Sequence, residues 1–66
     1  MRDATGLLTE QEVAAVIGVH RDTLRRWRKE GQGPPWLDLA PRRKRPMVRY
    51  EEARLREWLE SLEVEP

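Results

Sequence analysis

A chain of 66 residues with 13 basic and 12 acidic side chains, net charge +1, has material for one small core and little more. It has no cysteine and a single histidine, which excludes a disulfide framework and a thiolate metal site and leaves no set of ligands for zinc; no metal and no cofactor are expected. The charge is unevenly spread: residues 20–49 hold ten bases and three acids, net +7, while the rest hold three bases and nine acids, net −6. Such an asymmetry points to a polyanion facing the middle of the chain.

No apolar run approaches the roughly 18–20 residues that span a bilayer, and the start "MRDATG" has no signal-peptide apolar region. The expectation is a single domain over residues 1–66, cytoplasmic in a bacterial cell and associated with the nucleoid, with no membrane partner.

In chain order, "LLTEQEVAAVIG" predicts a first helix. Thr9 can cap it, Glu12 three residues on can complete a capping box, and Leu8 with Val13 can close a hydrophobic staple. At the helical period Val13, Ala14, Val16 and Ile17 share an inner arc, and Gln11, Glu12 and Ala15 face away. Gly18 can end the helix in the left-handed conformation, after which Val19 turns inward.

A second helix is predicted from near His20 to Gly31, "HRDTLRRWRKEG". Histidine is a weak cap, although Asp22 in the first turn complements the helix dipole. Only about three residues separate the two helices, the spacing of a helix-turn-helix. "GQGPPW" then breaks the helix. "WLDL" and "MVRY", on either side of "APRRKRP", predict a hairpin with a basic tip. Finally "EEARLREWLESLE" predicts a helix with Leu55, Trp58, Leu59 and Leu62 on one stripe, Glu57 and Glu60 opposite, and "VEP" frayed behind it. The expected core is Leu8, Val13, Ile17, Val19, Leu24, Trp27, Leu39, Leu55, Trp58 and Leu59.

The second helix carries the sharpest functional signal. With Asp22 at zero and about 100° per residue, Arg26 falls at about 40°, Lys29 at about 340° and Arg25 at about 300°, whereas Trp27 and Leu24 fall at about 140° and 200°. Burying Leu24 and Trp27 therefore presents Asp22, Arg25, Arg26 and Lys29 as one outward stripe. Arginine pairs bidentately with guanine and aspartate accepts from the cytosine amino group, so Asp22, Arg25 and Arg26 are the candidate base contacts. His20, Arg21, Thr23, Arg28 and Lys29, with Arg49 on the hairpin, suit phosphates, which fix register without reading sequence. A solvated basic helix with an ordinary Asp22–Arg26 ion pair is the competing reading, and the short turn to a capped first helix weighs against it.

Arg42, Arg43, Lys44 and Arg45 lie between Pro41 and Pro46, where no helix can form, and their mutual repulsion calls for a polyanion. Beside a helix-turn-helix they form a wing able to grip phosphates or enter a narrow minor groove. The tryptophans and Tyr50 could stack on single strands, but Trp27 and Trp58 fall on apolar stripes and are read as core. No catalytic constellation is visible: the carboxylates of the last helix face solvent, Ser61 has no neighbouring base, and no phosphate loop or dinucleotide fingerprint occurs. The chain is not expected to be an enzyme or to take a small-molecule substrate.

"LLTEQEVAAVIGVHRDTLRRWRKEG", followed by prolines, a basic hairpin and "VRYEEARLREWL", resembles the winged helix-turn-helix of phage excisionases and their relatives in the MerR-like superfamily, over residues 7–62. The resemblance implies a mainly α fold with a small β-hairpin: helix-turn-helix, two-stranded wing, C-terminal helix. It implies base contacts one turn apart, here Asp22 and Arg26, and a minor-groove wing contact among Arg42, Arg43, Lys44 and Arg45. An excisionase occupies adjacent sites on double-stranded DNA, bends it and assists an integrase of the tyrosine or serine type, so the implied partners are DNA, integrase and neighbouring copies. AlpA-like and MerR-like transcription regulators and small terminase subunits share the motif. An operator-binding regulator is thus the alternative, and a protein-interaction module using the acidic last helix is a further one.

Overall fold

A computed structural model describes residues 6–62. Its elements are β1 (Leu7–Leu8), α1 (Glu10–Ile17), α2 (Arg21–Lys29), β2 (Leu37–Asp38), β3 (Val48–Glu51) and α3 (Glu52–Ser61). The expected order of helix, turn, helix, hairpin and helix is present, and with it the winged helix-turn-helix. The segment "VEP" lies outside the described residues.

Local chemistry sets each boundary. The Glu12 N–H donates to Thr9 Oγ1 at 3.1 Å and the Thr9 N–H donates to Glu12 Oε1 at 2.8 Å, a complete capping box at the start of α1. Gly18, at φ 77°, closes the helix, and its N–H and that of Val19 both donate to the Ala14 carbonyl. Residues 18–20 then turn the chain into α2. His20 caps that helix after all: its Nδ1 accepts from the Asp22 N–H at 3.0 Å, standing in for the hydroxyl or carboxylate usual at this position. Beyond α2, Gly33 is favoured by its φ of 82°, and an added side-chain carbon there would also crowd Trp27 Cβ at 3.3 Å.

The hairpin acquires a third strand that the sequence reading does not contain. The order is β1-β3-β2, with both pairings antiparallel, Leu8 opposite Tyr50 and Asp38 opposite Val48. β3 is therefore the central strand, and it runs into α3 with no residue between them. The wing base is closed by one carboxylate oxygen: Asp38 Oδ1 accepts from the N–H groups of Ala40 and Met47 at 2.9 and 3.0 Å.

Leu8, Val13, Ala14, Leu24, Tyr50 and Leu55 form the buried core, with Ile17, Val19, Trp27, Val48 and Trp58 packed against it. Trp27 and Trp58 meet with ring centroids 6.5 Å apart and planes tilted by 50°, which joins α2 to α3. The expectations for four residues are corrected. Val16 is 63% exposed, because the buried arc of α1 centres between Val13, Ala14 and Ile17 and leaves Val16 beyond its edge. Leu59 is on the rim of the α3 stripe, in which Leu55 is buried and Trp58 partly buried, and Leu39 sits at the outer end of the wing, past the reach of the helices; both are exposed. Tyr50, absent from the expected core list, is among its most deeply buried side chains.

Candidate nucleic-acid interface

The outer face of α2 is as the helical phase requires. Asp22, Arg25, Arg26 and Lys29 are all exposed, and with Glu30 they line a shallow concavity of about 390 Å³. Asp22 and Arg26 do not pair with one another, and the Asp22 carboxylate instead lies 3.5 Å from His20 Nδ1. Among the described residues, Arg21, Arg25, Arg26, Lys29 and the four wing bases make no ion pair, so their charge is directed to solvent. The bases of α3 differ: Arg54 pairs with Glu51 and Arg56 with Glu52.

The wing stands across a cleft from α2. This concavity, of about 710 Å³, takes Arg21, Asp22, Arg25 and Arg28 from one wall and Arg45 and Arg49 from the other, with residues 9–11 at the start of α1 between them. A basic cleft between a helix and a hairpin suits a run of backbone phosphates with the helix in one groove and the wing toward the next. The structure also separates the wing bases. Arg45 borders the cleft, while Arg42, Arg43 and Lys44 occupy the exposed tip, folded by a turn in which the Arg43 N–H donates to the Ala40 carbonyl.

Residues 7–63 match the helix-turn-helix domain family. The chain belongs to this DNA-binding family, which includes excisionase-like proteins. Neither a curated protein nor a solved structure matches it.

Not every base of this helix-turn-helix domain points outward. Arg28 is turned inward, with 10% of its side chain exposed, where a phosphate-facing side chain had been expected. Its Nε donates to Glu10 Oε2 at 2.9 Å, its Nη2 approaches Glu10 Oε1 at 3.5 Å, and its guanidinium stacks 5.1 Å above the Trp36 ring centroid. The same Glu10 Oε2 accepts from the Tyr50 hydroxyl at 2.9 Å. Burial first, and then the bond to Glu10, pushes the Tyr50 hydroxyl far above the usual tyrosine range, so it remains a donor at any physiological pH.

A charge census misses this cluster because it treats all bases alike. The helical phase contains the signal: Arg28 falls at about 240° from Asp22, between Leu24 at about 200° and the edge of the outer stripe at about 300°. Of the other expected phosphate contacts, Arg21 and Lys29 are exposed and Thr23 is half-buried. His20 is exposed with one ring nitrogen committed to its cap, and Arg49 is half-buried with Nη1 donating to the Val48 carbonyl at 2.7 Å.

Proposed function

We propose that this helix-turn-helix domain is a sequence-specific architectural protein of the excisionase type, kin to the MerR-like superfamily. In this reading α2 lies in the major groove, where Asp22, Arg25 and Arg26 read base edges. Arg21, Arg45 and Arg49 hold phosphates along the cleft, Lys29, His20 and Thr23 hold further phosphates outside it, and the wing tip, Arg42 to Lys44, reaches the minor groove. The observation that carries this reading is the pairing of an exposed acid with an exposed arginine one turn on, neither bound to the other, facing the same way as a second basic arm across the cleft. Phosphate attraction accounts for the bases. It does not account for Asp22, which is repelled by DNA unless it meets a donor such as the cytosine amino group.

A module of this size buries roughly 600–1,000 Å² on DNA, so one copy alone binds modestly. Occupying adjacent sites, bending the DNA between them and engaging an integrase would supply the missing specificity. Double-stranded DNA, integrase and neighbouring copies are accordingly the proposed partners, in the bacterial cytoplasm at the nucleoid. Nuclease footprinting across an integrase gene's attachment region and across neighbouring promoters tests the assignment. Repeated protected sites in the attachment region, with enhanced cleavage between them from bending, are expected. Protection of one promoter operator alone would instead make the protein a transcription regulator.

A further inference from the structure

The helix-turn-helix domain carries one basic residue on its recognition helix whose geometry sets it apart from the others. We propose that Arg28 is a positioning residue of the DNA-binding surface, holding α2 and the wing strand in one fixed relation through Glu10 and Tyr50, and that it makes no phosphate contact itself. The inference rests on the reading that α2 is the helix laid against DNA.

Four parts of the chain meet in the cluster around this guanidinium. Glu10 comes from the first turn of α1, Arg28 from the last turn of α2, Trp36 from the segment after α2 and Tyr50 from the central strand β3. The Glu10 carboxylate is fully engaged: Oε2 accepts from both Arg28 Nε and the Tyr50 hydroxyl, and Oε1 faces Arg28 Nη2. A fork-shaped pair of this kind fixes the plane of the guanidinium as well as its distance, and the Trp36 ring bounds one face of it. Side-chain exposure of 10% for Arg28 and 20% for Glu10 removes most competing water.

The placement gives the cluster its consequence. Arg28 is two residues from Arg26 on the outer stripe, and Tyr50 is next to Arg49, which lines the opposite wall of the cleft. The cluster therefore ties together the two arms that must meet DNA simultaneously. Arg28 borders the cleft, but its Nε and Nη2 are held by Glu10, and a phosphate taking those donors would have to displace Glu10 and strand the Tyr50 hydroxyl inside the core, where an unbonded donor is costly. Lysine could not substitute, since a point charge neither forks onto the carboxylate nor stacks in register on the indole.

The test uses the full chain and a mixed-sequence DNA duplex, with affinity measured over a range of salt concentrations and thermal unfolding measured in parallel. Tyr50→Phe removes one buried hydrogen bond at a residue that cannot touch DNA, and Arg28→Lys keeps the charge. Both are expected to weaken binding while leaving the slope of log affinity against log salt at its wild-type value. If the competent arrangement falls to about a tenth of the population, the loss is about tenfold. The double variant should be no weaker than Arg28→Lys alone. If Arg28→Lys fails to fold, Trp36→Leu, at an exposed side chain, removes only the stacking surface and is expected to give the same pair of readings. The proposal is overturned if Arg28→Lys binds like wild type while Arg28→Gln flattens the slope by about 0.9, the mark of one lost phosphate contact, or if Tyr50→Phe binds like wild type. A wild-type chain whose weak binding ignores salt would overturn the DNA reading beneath it, a result separate from either of these.

Discussion

Asp22 and Arg26 sit one turn apart on the exposed face of α2 and leave each other unpaired. Arg26→Ala is expected to cost about 1–3 kcal/mol of binding free energy on the preferred site and to relax discrimination at one base pair, measured by competition against single-base variants of the footprinted sequence. A uniform loss across all sequences would reduce Arg26 to a phosphate contact. Asp22→Ala should act in the opposite sense on random DNA, where removing an acid strengthens binding, while weakening the preferred site. The orientation of these two residues was legible in the sequence because helical phase follows from the buried pair Leu24 and Trp27. Charge alone did not reveal the contacts of Arg28. They lie 18 residues before it, at Glu10, and in the ring of Trp36, and neither separation follows from helix geometry.

Among the elements, α1 was the most legible, since its capping box is a contact between residues three apart. The bond from the Thr9 backbone N–H, and then the Thr9 side chain, hold the Glu12 carboxyl below its ordinary value of 4.5. A depressed value means that this contribution to stability is present above the ordinary carboxylate range and is lost as pH falls through the lowered one. Glu12→Ala removes the carboxylate that the Thr9 N–H donates to, and should therefore destabilise the chain near neutral pH and progressively less in acid, which denaturant titrations at several pH values will read. The β-sheet was less legible. A two-residue β1 has no alternation to detect and exists only through its pairing with β3, some 40 residues later. Asp38 was likewise silent in the sequence, although it organises the wing. Asp38→Ala frees the N–H groups of Ala40 and Met47 and is expected to destabilise the wing by about 1–3 kcal/mol, seen as faster amide exchange at those two positions with little change in α1.

For the whole molecule, the division of charge visible in the sequence corresponds to a division of surface. The unpaired bases gather on α2 and the wing, and the acidic remainder includes α3, whose own two arginines are tied to Glu51 and Glu52. Binding to duplex DNA should thus fall steeply with salt. Replacing Arg42 and Arg43 with alanine should flatten that dependence by about 0.9 for each phosphate contact removed, without altering thermal stability, because both side chains are exposed. An unchanged slope would remove the wing tip from the interface.

The seam between β3 and α3 also governs how this chain can vary in length. Glu51 ends the strand and is also the N-cap position of the helix that starts at Glu52, so no spare residue can absorb an insertion. One added residue there would rotate everything after it by about 100° about the helix axis and carry Leu55 out of the core. The tip between Ala40 and Pro46 is exposed nearly throughout, and an added residue there would extend a loop without shifting any face. Changes in reach along DNA can therefore arise by lengthening the wing, whereas the strand-to-helix seam tolerates substitution but not indels.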